Sequence, residues 1–420
     1  MKNPCLNSSH DLVIAGAGPA GLAASIRLGQ KKIPHLLLEK SDFPRDKICG
    51  DALSGKVIDV LKNILPDAPG LLQSGSVEAE GSYGVTFYSP DGQALEVPFK
   101  KDLSKLASPP GYIARRIHFD KMLFENVDRK FCAYLPHTSL KSIRRENGNI
   151  ILACEGQSQG DISCKMVIGA EGDRSVVARQ LQGGLRDDRH YCAGLRCYYG
   201  NVSGMHEKGF IELHFIRDIL PGYFWIFPLP NGEANVGIGM LSSVVSRKRI
   251  NLKQMLRQII EKHPAISRRF AHAHALEEPK GWGLPLGSQK RSLSGDNYLL
   301  TGDAGSLIDP FTGEGIGNAM VTGVMAADAA AKALAEKKYD ASDLEAYSKS
   351  VYAKLGPELN LSHTLQKLSN KAWLFNFVTG RARKNEALRE AITCMFDDLD
   401  MRSRLKDPRF YFRMIFGRSN

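Results

Sequence analysis

Apolar positions fall into three kinds of run along this chain. Leu12-Val13-Ile14-Ala15 and Leu36-Leu37-Leu38 are short and continuous, the pattern of strands buried on both faces of a parallel sheet. Between them, Leu22 to Gly29 has helical spacing. Val/Tyr/Phe-rich alternation near 83–88 and 191–199, with strand-like stretches at 210–216 and 234–240, predicts half-buried antiparallel strands instead. Helical spacing returns near 251–263, in the Ala-rich stretch after Ile316 and through 346–420, where 381–396 is amphipathic. The expected class is α/β, α+β overall, with an antiparallel-sheet domain inserted into a parallel one and a helical C-terminal region.

Composition narrows the class without naming a chemistry. The chain has 420 residues, 43% hydrophobic and 24% charged, which excludes a disordered or collagen-like protein. No stretch reaches the roughly 18 apolar residues of a membrane span. Met1-Lys2-Asn3-Pro4 opens no apolar secretory core, so the expected location is cytoplasmic. Eight cysteines form no C-x-x-C pair, and no His cluster has zinc spacing, so no metal site is expected. The net charge of +11 is uneven: residues 366–420 hold twelve Lys/Arg and six Asp/Glu, interleaved with aromatic residues that include Trp373, Phe375, Phe377, Phe410, Tyr411, Phe412 and Phe416. Such a segment could sit against an anionic membrane surface, making the protein peripheral to it. Nucleic-acid binding has no motif to support it.

The first chemistry lies at the end of the first apolar run. Gly16-Ala17-Gly18-Pro19-Ala20-Gly21 is a G-x-G-x-x-G turn between a strand and a helix, and the next strand, from Pro34, ends in Glu39, with Lys40 beside it as a further cofactor-binding candidate. Its glycines let backbone approach a pyrophosphate whose charge rests on the helix N-terminus, while Glu39 can accept hydrogen bonds from a ribose diol. The turn alone leaves FAD and NAD both open.

Two later segments decide for FAD. Cys164 to Gly169 reads as a strand leading into Ala170-Glu171-Gly172-Asp173 and a basic helix. Asn297 to Thr301 is another strand, ending in Gly302-Asp303 and followed by Gly313-Glu314-Gly315-Ile316-Gly317 and the Ala-rich helix. Here the chain resembles the FAD-dependent oxidoreductases of the para-hydroxybenzoate hydroxylase fold, whose three fingerprints occur in this order. The resemblance implies that Asp303 holds the ribityl chain and that Arg116, of Arg115-Arg116-Ile117-His118-Phe119-Asp120, lies against the flavin. It also implies a Rossmann-like domain made of 11–75, 101–185 and 290–345. Residues 76–100 and 186–289 would form the substrate domain, and 346–420 the helical region. Glu171 stands where the family has Asp. N–H groups of 313–317, opening the helix near Ile316, would face the negative charge of reduced flavin.

Two further segments resemble the geranylgeranyl reductase family. Pro221-Gly222-Tyr223-Phe224-Trp225-Ile226-Phe227-Pro228 resembles its Pro-x-x-Tyr-x-Trp-x-Phe-Pro signature, agreeing at Tyr223, Trp225, Phe227 and Pro228 with Pro221 one residue nearer the Tyr, and Lys47-Ile48-Cys49-Gly50 resembles its Lys-x-Cys-Gly segment, whose Cys lies near the flavin ring. The Trp-x-Trp-x-Ile-Pro of related halogenases is absent. Tyr223 and Trp225 share one strand face and could wall a channel for a long apolar substrate. The resemblance implies reduction of isoprenoid C=C bonds, with Cys49 as proton donor or shield. The alternative on this fold is a monooxygenase of an aromatic, polyketide or lipid substrate. The sequence has no second nucleotide-binding unit, so NAD(P)H would dock transiently or a protein donor would supply the electrons. Nothing in the sequence sets the oligomeric state.

Overall fold

The computed structural model describes residues 9–385, apart from 101, 158, 184 and 185. Its first large sheet is mainly parallel, in the order Ser294–Gly295, Tyr298–Leu300, Gly160–Gly169, Ser9–Ala15, His35–Leu38 and Cys132–Leu135. Thr138–Glu146 and Asn149–Gly156 form an antiparallel hairpin on Gly160–Gly169. The continuous apolar runs sit centrally because both faces are covered. Leu12, Ile14 and Leu37 belong to one core, shared with the helices Pro19–Gln30 and Ile316–Glu336. Their neighbours Val13, Leu36 and Leu38 belong to another, shared with Ile150 and Leu152 of the hairpin.

The second large sheet runs His274–Ala275, Tyr191–Gly200, Glu233–Leu241, Tyr223–Pro228, Ile211–His214, Gly84–Tyr88 and Ala94–Pro98. It is antiparallel except where Ile211–His214 pairs with Gly84–Tyr88, and Lys280–Pro285 adds to Tyr191–Gly200. Period-two alternation sorts the side chains of Tyr223–Pro228. Phe224 and Ile226 enter the core beneath the helix Leu252–Lys262, whereas Tyr223, Trp225 and Phe227 belong to the apolar cluster on the other side. A small sheet of Ala52–Leu53, Gly111–Ile113 and Glu80–Ser82 follows the Cys49 segment.

Two expected helices differ. The basic helix after Glu171-Gly172 is only a tight turn at Gly172–Arg174 and one wide turn at Ala178–Gln182, stopped by Gly183 at φ 73°. The Glu171 carboxylate accepts the N–H groups of Val176 and Val177 and the Ser175 hydroxyl, so local capping satisfies that backbone. At the C-terminal end, Ala341–Ser369 is followed by Ala372–Lys384, which starts before the amphipathic stretch expected at 381–396; residues 386–420 lie outside the described residues.

Candidate active site

A cleft of about 900 Å³ is lined from both large sheets. Of the residues singled out in the sequence, Gly16, Gly18, Pro19, Ala20, Glu39, Lys40, Cys49, Gly50, Arg116, Glu171, Gly172, Tyr223, Trp225, Asp303, Gly313, Gly315 and Ile316 all line it. Gly21 and Gly302 do not. They stand behind the lining and permit close packing: a Cβ on Gly21 would lie 1.9 Å from the Gly16 carbonyl oxygen. Gly18 is the opposite case, with no protein atom within 4 Å of where its Cβ would be.

One end of the cleft is built by backbone and buried ion pairs. The Ala17 N–H donates to Glu39 Oε2 at 3.1 Å, and Arg45 bridges the Ala17 carbonyl (2.7 Å), Glu39 (3.3 Å) and Asp120 (2.8 Å). Arg116 forks onto Asp120 through two bonds of 2.7 Å. Burial opposes the charge of both partners, but the pairing prevails: Asp120 is lowered well below the usual carboxylate range and Arg116 is raised. Cys49 is among the groups acting on Arg116, so this chain of charges ends beside the thiol. Lys47 reaches Asp303 at 3.8 Å, and Lys40, Lys47 and Arg174 all lie within 6 Å of the Trp282 ring, forming a cationic rim.

These features fit FAD. The open space at Gly18 heads the helix Pro19–Gln30, where a pyrophosphate can approach backbone N–H groups, and the buried Arg45 Nε has no protein partner. The expectation for 313–317 needs a correction. Gly313 N–H is spent on the Asp309 carbonyl and Glu314 N–H on Thr312 Oγ1, so it is the first turn of Ile316–Glu336 that can offer N–H groups to the cleft.

The other end is built by side chains. Tyr223, Trp225 and Phe227 form an aromatic wall, with the Tyr223 and Trp225 ring centroids 6.1 Å apart. The Tyr223 hydroxyl donates to the Thr312 carbonyl at 2.6 Å, tying this wall to the Gly-rich turn. Trp225 Nε1 donates to Asn235 Oδ1 at 2.8 Å; Asn235 Nδ2 in turn donates to the Cys49 carbonyl and to Asp51 Oδ2, both at 2.8 Å. Tyr198 donates a 2.7 Å hydrogen bond to the same Asp51 oxygen, and its ring lies between the guanidinium groups of Arg115 (4.2 Å) and Arg196 (4.0 Å). Asp51 is fully buried and its Oδ1 has no protein partner. Burial pushes its carboxyl up to about 6, against the pull of Tyr198, Asn235 and Arg196.

The Asp51, Asn235, Tyr198 and Arg196 network escapes sequence reasoning. Asp51 directly follows the Cys49-Gly50 segment, a signal that could have found it. Asn235 sits in an ordinary-looking strand 186 residues from Cys49. Arg45 and Lys56 are also unforeseen. Lys56 bonds Asn318 at 2.6 Å and Glu358 at 3.0 Å, and Ser54 bonds Glu314, making a polar margin to the cleft.

Comparison with known proteins agrees with this geometry. The family model described as an FAD binding domain matches residues 9–352. Digeranylgeranylglycerophospholipid reductase 1 of Methanosphaera stadtmanae is 30% identical over 359 residues, 84% of this chain and 82% of that protein. The menaquinone reductase of Mycobacterium tuberculosis is 26% identical, over 77% of each chain. Among solved structures, a geranylgeranyl bacteriochlorophyll reductase-like protein of Thermoplasma acidophilum superposes with a TM-score of 0.78 at 23% identity, covering 92% of this chain and 96% of that one. A flavin-dependent brominase shares the fold at 19% identity, with a TM-score of 0.75 and 93% of each chain covered. The chain belongs to the geranylgeranyl reductase family of FAD-dependent oxidoreductases.

Proposed function

We propose that this enzyme saturates C=C bonds of an isoprenoid or another long apolar chain. The observation that carries the reading is the aromatic wall of Tyr223, Trp225 and Phe227, linked through Asn235 to the Cys49 backbone in the same cleft as the Gly-rich turns. A wall of this size favours an extended apolar substrate by burying its surface, and the Arg–Asp pairs at the other end favour a charged cofactor.

FAD, once reduced, supplies hydride chemistry to this site. The chain's own residues have three tasks. Gly18 and the helix behind it leave room for the pyrophosphate, Arg45 would stand beside it, and Glu39 would accept hydrogen bonds from the ribose diol. The aromatic wall excludes water and fixes the alkene. Cys49 and the buried Asp51 carboxyl beside it are the proton-bearing groups for the second alkene carbon, which an isolated double bond needs in the transition state. An Asp51 anion formed by giving up its proton is received by the Tyr198 hydroxyl, the Asn235 amide and the nearby guanidinium of Arg196. We assign the electron supply to transient docking of NAD(P)H, for which the cationic rim around Trp282 is suited, or to a protein donor. We place the enzyme in the cytoplasm; among the described residues no helix is long and apolar enough to cross a membrane.

The test is anaerobic. Chemically reduced, FAD-loaded protein is mixed with a panel of prenyl lipids, and flavin reoxidation is followed alongside product mass. Reoxidation without oxygen, with a gain of two hydrogen atoms per double bond, is expected. A flavin that stays reduced until air is admitted, with a gain of one oxygen atom, would instead establish a monooxygenase.

A further inference from the structure

Five large apolar residues are conspicuously exposed in the described chain, and four of them fall between 368 and 378: Leu368, Trp373, Phe377 and Val378. Trp373 is 69% exposed and Phe377 54%. They sit at the junction of the helices Ala341–Ser369 and Ala372–Lys384. The charge along this stretch of chain is one-sided. Residues 359–385 contain Lys367, Lys371, Arg381, Arg383 and Lys384 and no Asp or Glu. An exposed apolar patch of this kind marks an interaction surface, and aromatic rings bordered by cations match the boundary between headgroups and acyl chains.

The inner side of the helix Ala372–Lys384 packs behind the cleft wall. Phe375 packs on Phe215 with ring centroids 4.4 Å apart, and Phe215 lies 5.6 Å from Phe311 and 5.7 Å from Tyr223. Ala372 and Ala382 join the apolar cluster that contains Trp225 and Phe227. Pro357, Leu361 and Ser362 of the preceding helix line the cleft directly. One helical unit therefore backs the substrate wall and carries the exposed patch.

We propose that Trp373 and Phe377, flanked by Lys371, Arg381 and Arg383, dock this protein on an anionic lipid bilayer, placing the mouth of the cleft where a membrane-borne apolar chain can enter. The docking stands on the surface alone; the passage of substrate rests on the reductase reading above. The cationic stretch selects a negatively charged surface, since cations near a bilayer of neutral lipid gain little, and the two rings supply the apolar anchorage.

Full-length, FAD-loaded protein is mixed with phosphatidylcholine vesicles, with and without phosphatidylglycerol, and binding is read by co-sedimentation and tryptophan emission without any turnover. Of the three tryptophans, Trp225 is buried and Trp282 is partly covered, so a blue shift on binding reports chiefly on Trp373. The expected result is binding that needs phosphatidylglycerol and weakens with salt. Trp373→Ala/Phe377→Ala should lower vesicle partitioning at least tenfold, and Lys371→Gln/Arg381→Gln/Arg383→Gln should abolish the preference for the anionic lipid. The first variant should reduce a short, water-dispersed prenyl substrate as the parent does. Binding indifferent to the Trp373/Phe377 change, or no binding to either vesicle, overturns the proposal. So does an emission already blue-shifted in free protein that reddens on dilution, which assigns the patch to a second copy of this chain. An emission blue-shifted at every dilution and unmoved by vesicles assigns it to residues 386–420. The vesicle-binding and emission outcomes do not depend on whether the enzyme reduces an alkene; only the short-substrate control does.

Discussion

The two ends of the cleft are made of different materials. At the Gly18 end the site starts from backbone within the first forty residues, with open space at one glycine, the start of a helix and a carboxylate one strand away, and the Arg45 and Arg116 pairs to Asp120 close around it. At the Trp225 end it is side chains, held by hydrogen bonds that join positions 147, 184 and 186 residues apart. The first kind tolerates change in its surroundings but not in one atom. The second distributes its stability over a hub, Asn235, whose amide serves Trp225, Cys49 and Asp51 together.

The sharpest test of this contrast is Gly18→Val. Its Cβ meets no protein atom and its φ of −76° suits any residue, so folding should be unaffected while the added methyls occupy the space the pyrophosphate needs. FAD affinity should fall by about a thousandfold, about 4 kcal/mol, in a flavin-fluorescence titration. A variant that binds FAD as the parent does would remove the backbone account of that end.

Asn235→Leu should show the reverse, with folding harmed first. It strands Trp225 Nε1 and the Cys49 carbonyl in a buried site and removes one of the donors to Asp51, for a loss of about 3 kcal/mol in urea unfolding of the FAD-free protein. A loss under about 1 kcal/mol would show that water or a neighbour replaces the amide, and that the hub is not one.

The smallest effect is one of pH. The Asp51 carboxyl is raised by burial from 3.8 to about 6. The native protein then binds a proton that the unfolded chain has released, so this group's contribution to stability is full below pH 3.8 and is lost as pH rises through about 6. Asp51→Asn keeps the shape, suits the left-handed φ of 67°, and carries no titrating proton. Stability of the parent relative to the variant should therefore decline between about pH 4 and 6, measured as urea midpoints across that range. Parallel curves would mean that Asp51 titrates alike in both states.

The same contrast explains what the sequence disclosed. Gly16 to Gly21, Glu39 and the Gly302-Asp303 pair are legible because a strand, a tight turn and a helix follow one another locally, and residues from each of these motifs line the cleft. Tyr223 and Trp225 are legible as a face through strand alternation. That the Tyr223 hydroxyl reaches the Thr312 carbonyl is not, because the contact depends on how two chain segments 89 residues apart pack. Asp51 looks like a turn residue until Tyr198 and Asn235 close over it. The 313–317 loop misleads in a different way. Its glycines suggest free N–H groups, yet two of the run's N–H groups are consumed by the turn's own hydrogen bonds.

The bond from Trp225 Nε1 to Asn235 has a practical consequence for anyone wishing to change which chain lengths the pocket accepts. The indole cannot be trimmed without disturbing the group that also positions Cys49 and Asp51, so pocket size and chemistry are controlled by the same few atoms. Ile211 and Leu213 line the same cleft with side chains that carry no polar atom. Breadth of substrate is best engineered there, where volume can change while Cys49 and Asp51 keep their places.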